Sequence, residues 1–150
     1  MIRFLFICTG NICRSPTAEG VARVLADKKG LTYQADSAGM GAWHIGESPD
    51  HRAIQAALQR GYDLSSQSAR QIEPDDFHRF DHIIALDNGH LQQLRQIPHE
   101  GGSARLSLLM DWADGPKGLD VPDPYYGDQS DFGRVLDIVE LAVEGLLEKA

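Results

Sequence analysis

Cysteine is nearly missing from this chain: there are two in 150 residues, Cys8 and Cys13, and none after them. Two cysteines cannot build a disulfide framework, and a chain of this length forms a core without staples. A reducing compartment, the cytoplasm, is therefore the expected setting. Long apolar runs are missing as well, since no stretch approaches the roughly 18 residues of a membrane span. The segment IRFLFI is short and runs directly into a polar loop without a small-residue cleavage site, so it reads as a strand rather than a secretory leader. Positive charge is scarce, with 14 Lys and Arg against 22 Asp and Glu, a formal net charge of −8, and no basic cluster that reverses the sign locally. That balance argues against nonspecific binding to nucleic acid or to an anionic membrane, and any anionic ligand needs a local positive site. Internal repeats, low-complexity tracts and long linkers are absent, and the length predicts one domain over residues 1–150.

What is present alternates between two periodicities. Residues 2–7 are apolar on both parities, as in a strand buried on both faces of a parallel sheet. A helix start follows, with Ser15 as cap, Pro16 at the first helical position, Glu19 in the first turn, Val21, Val24 and Leu25 as the apolar stripe and Gly30 as the stop. The pattern predicts a strand over 32–36, a loop from Gly39 to Gly46, and a helix capped by Ser48, with Pro49 just inside and Gly61 after it. HIIAL at 82–86 predicts a buried strand, Asn88 to Gln96 a helix, and RLSLLM at 105–110 a last strand. From about Ser130, Val135, Ile138, Val139, Ala142, Leu146 and Leu147 recur at helical spacing. Strands alternating with helices imply an α/β fold: a Rossmann-like three-layer sandwich with a mostly four-stranded parallel sheet between helices. Ligands of such sheets bind beyond the carboxyl ends of strands, and Cys8 lies at one.

The loop CTGNICRSP between the first strand and first helix carries the chemistry. A strand-loop-helix turn aims backbone N–H groups and the positive end of a helix at whatever occupies it. The loop lacks the GK[ST] ending of a nucleotide-binding loop and carries a thiol instead. A helix N-terminus and a neighbouring cation both favour the thiolate, the nucleophilic form of cysteine. Arg14 supplies that cation, and its planar fork matches two oxygens of a phosphoryl group. A cation at a helix N-terminus opposes the dipole, which favours a role in the site over a solvated one.

Cys8, five residues, then Arg14 and Ser15 form the C-x5-R-[ST] signature of protein tyrosine phosphatases, and CTGNICRSP resembles the low-molecular-weight class. The likeness continues through Asp36-Ser37-Ala38-Gly39, Ser48-Pro49-Asp50, Ala69-Arg70-Gln71 and Asp123-Pro124-Tyr125-Tyr126-Gly127. The resemblance implies Cys8 as nucleophile, Arg14 as phosphoryl-binding group and Asp123 as general acid and then base. Asp120 is the alternative acid, because spacing alone does not choose among Asp111, Asp114, Asp120, Asp123 and Asp128. The resemblance further implies a phosphate loop of Thr9, Gly10, Asn11, Ile12 and Cys13, with Asn11 holding its shape and the Ser15 hydroxyl bonding the thiolate. Trp43, Tyr125 and Tyr126 are implied on the rim, where they would sandwich the phosphotyrosine ring, and Cys13 as a partner for a reversible disulfide with Cys8. Trp112 has no such match and reads as packing. Tyrosine-phosphorylated proteins are the implied partners and inorganic phosphate the product, with no cofactor, metal or nucleic acid.

Where the family often has a loop-supporting histidine before x-A-R-Q, this chain has Gln67, so an amide is expected to take over. A zinc site is disfavoured, because Cys8 and Cys13 lack a second pair and Arg14 repels a cation. A Cys-His hydrolase lacks a recognisable partner among six scattered histidines. The similar thioredoxin-coupled arsenate reductases use later cysteines that this chain lacks. Arginine phosphatases of the same fold typically carry threonine at the place of Ile12 and lack paired tyrosines, so Ile12, Trp43, Tyr125 and Tyr126 together favour an aryl phosphate. A noncatalytic anion-binding module leaves the thiol and Asp123 unexplained.

Overall fold

The computed structural model describes residues 1–150. Strands β1 (Ile2–Cys8), β2 (Tyr33–Gly39), β3 (His82–Ala85) and β4 (Arg105–Leu108) form one sheet in the order β2-β1-β3-β4. Every pairing is parallel. The helices are α1 (Arg14–Lys28), α2 (His51–Leu58), α3 (Asp76–Arg79), α4 (Asn88–Arg95) and α5 (Gln129–Lys149). The expected α/β sandwich is the one observed.

Strand periodicity splits the core in two. Phe4, Phe6 and Cys8 of β1 point to one face and join a cluster with Val21 and Ala22 of α1 and Val139 and Val143 of α5. Leu5 and Ile7 point to the other, against Phe77 of α3 and Leu91 and Leu94 of α4. Burial on both faces accounts for the apolar runs Phe4–Cys8 of β1 and Ile83–Ala85 of β3. No helix is long and apolar enough to cross a membrane.

Several boundaries differ from expectation. Ser15 is not the cap of α1: the helix starts at Arg14, its flanking residue Cys13 makes no side-chain cap, and Pro16 is its third residue. The serine hydroxyl is instead spent on the loop. In α2 the cap is Asp50 rather than Ser48, and its carboxylate accepts from the Arg52 N–H at 2.8 Å. Strand β2 runs on to Gly39, where Ser37, Ala38 and Gly39 pair with Phe6, Ile7 and Cys8. That polar, small-residue stretch hides its strand character because it backs the phosphate loop. Strand β4 ends at Leu108 and a 3₁₀ turn, Leu109–Trp112, follows. Helix α3 is one turn long, too short for a periodic signal. Helix α5 starts as expected, with Asp128 and Asp131 forming a reciprocal capping box.

Candidate active site

Strand β1 ends at Cys8, and the chain turns through Thr9–Cys13 before α1 begins. The turn requires a left-handed residue, and Asn11 supplies it at φ 58°. The Asn11 side chain is buried and fully engaged. Its Nδ2 donates to Ser15 Oγ and to Ser37 Oγ, both at 2.9 Å, and its Oδ1 accepts from the Arg70 N–H at 3.0 Å. Ser37 Oγ in turn donates to Glu19 Oε1 at 2.7 Å. Ser15 Oγ lies 2.9 Å from Cys8 Sγ. Ser15 Oγ accepts from Asn11, and its own proton is free to donate to a thiolate at Cys8.

The amide expected at Gln67 does not take over this support: its Nε2 donates to the Pro16 carbonyl at 3.0 Å, away from Asn11. Ser37, Glu19 and the Arg70 backbone hold the loop instead. Burial raises Glu19 above the usual carboxylate range, against the opposing effects of Ser37 and Arg23.

Arg14 is 4% exposed and fixed from one side. Its Nη1 donates to Asp87 Oδ2 and to the Val121 carbonyl, both at 2.9 Å. Neither Nε nor Nη2 finds a protein hydrogen-bond acceptor, which leaves one edge of the fork for two ligand oxygens. Asp123 Oδ2 is 3.7 Å from Arg14 Nη2, and Asp123 Oδ1 accepts from the Tyr125 N–H at 3.0 Å. Asp120 is occupied elsewhere, accepting from the N–H and Nδ2 of Asn88 at 2.8 and 2.7 Å.

A cavity of about 240 Å³ opens above the loop. It brings together Cys8, Arg14 and Asp123, with Thr9, Gly10, Ile12 and Cys13 as floor and Trp43, Tyr125 and Tyr126 as rim. Trp43 is 73% exposed and Tyr126 94%. Such exposure in large aromatics suits rings that meet a ligand rather than the core. Asn11 and Ser15 lie beneath, outside the lining, and act through the loop. Trp112 packs as expected, edge-on to His82, with its Nε1 donating to Ser107 Oγ. Cys13 borders the cavity, but burial first, then Asp50 and Cys8, push its thiol up to about 12. Both cysteines are free thiols.

Four residues escaped the sequence reading. Asp87 anchors Arg14; it lies two residues past β3, at a strand's carboxyl end, which is the one signal available. His90 is buried, and its Nε2 meets Thr9 Oγ1 at 2.7 Å. His44 lines the cavity and pairs through Nδ1 with Glu47 at 2.7 Å. Arg52 donates to the carbonyls of Tyr125 and Gly127 at 2.8 and 3.1 Å and tethers the Asp123 loop to α2. Nothing local in the sequence marks His90, His44 or Arg52.

The chain matches the model of the family described as low molecular weight phosphotyrosine protein phosphatase over residues 3–150. It is 46% identical over 150 residues to the low molecular weight protein-tyrosine-phosphatase of Streptomyces coelicolor, covering 97% of this chain and 91% of the relative. The crystal structure of an Entamoeba histolytica protein tyrosine phosphatase with Hepes in its active site superposes with a TM-score of 0.92 at 38% identity, over 99% and 96% of the two chains. The Drosophila arginine phosphatase superposes with a TM-score of 0.91 at 29% identity, over 99% of each chain. Fold, site geometry and near full-length matches agree, and the chain belongs to the low molecular weight phosphotyrosine protein phosphatase family.

Proposed function

We propose that this enzyme hydrolyses phosphotyrosine in proteins, and small aryl phosphates, through a phosphocysteine on Cys8. The Cys8 thiolate attacks phosphorus as the bond to the phenolic oxygen breaks, and Asp123 gives its proton to that oxygen. Asp123, now a carboxylate, takes a proton from water; the water oxygen attacks phosphorus, the S–P bond breaks, and inorganic phosphate leaves with the thiolate restored. The free edge of Arg14 and the loop N–H groups bind the equatorial oxygens, where charge is spread in the transition state. The observation that carries this reading is the meeting of Cys8, the fixed fork of Arg14 and Asp123 in one cavity, with Ser15 Oγ 2.9 Å from the sulfur.

The arginine phosphatase shares the scaffold, so the fold does not select the substrate. Ile12 on the floor and Trp43, Tyr125 and Tyr126 on the rim favour an aromatic leaving group. Regulation by a Cys8–Cys13 disulfide follows from the same loop. Peroxide oxidises Cys8 to the sulfenic acid, Cys13 attacks that sulfur, and water leaves as the S–S bond forms.

The test is hydrolysis of p-nitrophenyl phosphate and a phosphotyrosine peptide with chelator present, for wild type, Cys8→Ser and Asp123→Ala. Turnover is expected to survive chelator, vanish in Cys8→Ser and fall by about 100-fold or more in Asp123→Ala. Turnover retained by Cys8→Ser would remove the nucleophile assignment.

A further inference from the structure

The cavity above Cys8 is bordered by Trp43, and Trp43 also borders a second depression of about 430 Å³. Thr9 is the other shared wall; Met40, Asp87, His90 and Gln93 shape the rest. The two hollows are neighbours across one indole.

Their charges differ. The first holds Arg14 together with Asp123. The second holds Asp87, and neither Lys nor Arg lines it. Burial alone would raise the Asp87 carboxyl, but the His90 N–H, His90 and Arg14 together hold it below the usual carboxylate range. Burial and Arg14 lower His90, against Asp87, Asp123 and Asp120. His90 Nδ1 lies 3.0 Å from Asp87 Oδ1 without completing a hydrogen bond. Once a phosphoryl dianion occupies the free edge of Arg14, the Asp87 carboxylate is left to set the sign of this wall.

We propose that the second depression is a substrate subsite for an arginine or lysine side chain next to the phosphotyrosine, a proposal that rests on the phosphotyrosine reading above. The aliphatic stem lies along Met40 and the exposed Trp43 indole, and the cationic head reaches the Asp87 wall. The phosphotyrosine ring and the cation then flank the same tryptophan, and a cation over an indole face is a favourable pairing. The subsite makes the enzyme select phosphotyrosine in basic sequence, which suits a site on a molecule of formal charge −8.

The experiment walks a single Arg, and separately a single Glu, through the three positions on each side of phosphotyrosine in alanine-based peptides. Phosphate release gives kcat/KM for wild type and Gln93→Lys, with p-nitrophenyl phosphate as a substrate that does not reach the second depression. Gln93 is exposed on α4 and outside the catalytic machinery. One position is expected where Arg raises kcat/KM about fivefold over Ala and Glu lowers it. In Gln93→Lys that advantage should disappear while p-nitrophenyl phosphate turnover stays at the wild-type rate. A flat panel, a preference for Glu, or an Arg advantage that survives Gln93→Lys overturns the subsite. Loss of wild-type turnover of both p-nitrophenyl phosphate and the peptides would instead overturn the phosphatase reading on which it stands.

Discussion

At the residue scale, the polar groups of the site are held in place by partners within the fold. Asn11 uses both amide protons and its oxygen to hold the loop, which frees the Ser15 proton for Cys8. Arg14 is fixed on one edge by Asp87 and the Val121 carbonyl, so its other edge is preorganised rather than mobile. Asp87→Ala removes that anchor while leaving Cys8, Arg14 and Asp123 in the chain. A loss of about 100-fold in kcat/KM for p-nitrophenyl phosphate is expected, with a native circular-dichroism spectrum, because small misplacements of a positioning group carry costs of this order. A variant at wild-type rate would show that the Val121 carbonyl suffices to orient the guanidinium. The residues proposed as catalytic were legible from the C-x5-R-S spacing and the late DPYYG motif. Asp87 was not, since an aspartate after a strand is commonly a helix cap, and here it is that too, accepting from the His90 N–H at 2.8 Å.

At the element scale, β2 and the phosphate loop touch backbone to backbone. A Cβ on Gly39 would sit 2.9 Å from the Thr9 carbonyl oxygen, 3.0 Å from the Gly10 carbonyl carbon and 3.1 Å from the Asn11 nitrogen. None of these is a flexible side-chain end, so Gly39→Ala must push the loop and its N–H groups off the phosphoryl position. The expected outcome is a stability loss of about 1–3 kcal/mol and at least a tenfold drop in kcat. Thermal unfolding and p-nitrophenyl phosphate kinetics measure the two, and an unchanged kcat would mean that the loop tolerates displacement. Sequence periodicity identified β1, β3 and α5, whose apolar patterns are long or unbroken. It lost β2 after Asp36 because Ser37, Ala38 and Gly39 are chosen for the loop they support. It misplaced the start of α1 for a similar reason: Ser15 looks like a cap, yet its hydroxyl bonds the cysteine sulfur.

At the scale of the whole molecule, buried histidines couple stability to pH. His82, stacked on Phe4 at 5.7 Å, is lowered by burial first and by Arg105, against Asp81, and His90 is lowered by burial. Their folded values lie below the unfolded one, so their contribution is present above about pH 6.5 and is lost as pH falls through the folded values. Glu19, raised by burial, acts in the opposite sense, its contribution present below the unfolded value and lost as pH rises. Denaturant unfolding at pH 7.5 and 5.5 should show lower stability at 5.5, by on the order of 1 kcal/mol per histidine. His82→Phe should remove part of that difference; an unchanged difference would exonerate His82. The alternating α/β plan, the C-x5-R-S loop and the family were readable in the sequence, because these rest on local periodicity and on contiguous motifs. That Asp87 anchors Arg14, that Ser37 and Glu19 replace the support expected at Gln67, and that Trp43 borders two cavities emerges from the folded arrangement. Those relations join residues distant in the chain, and a parallel sheet brings them together at the carboxyl ends of its strands, where no local pattern records the meeting.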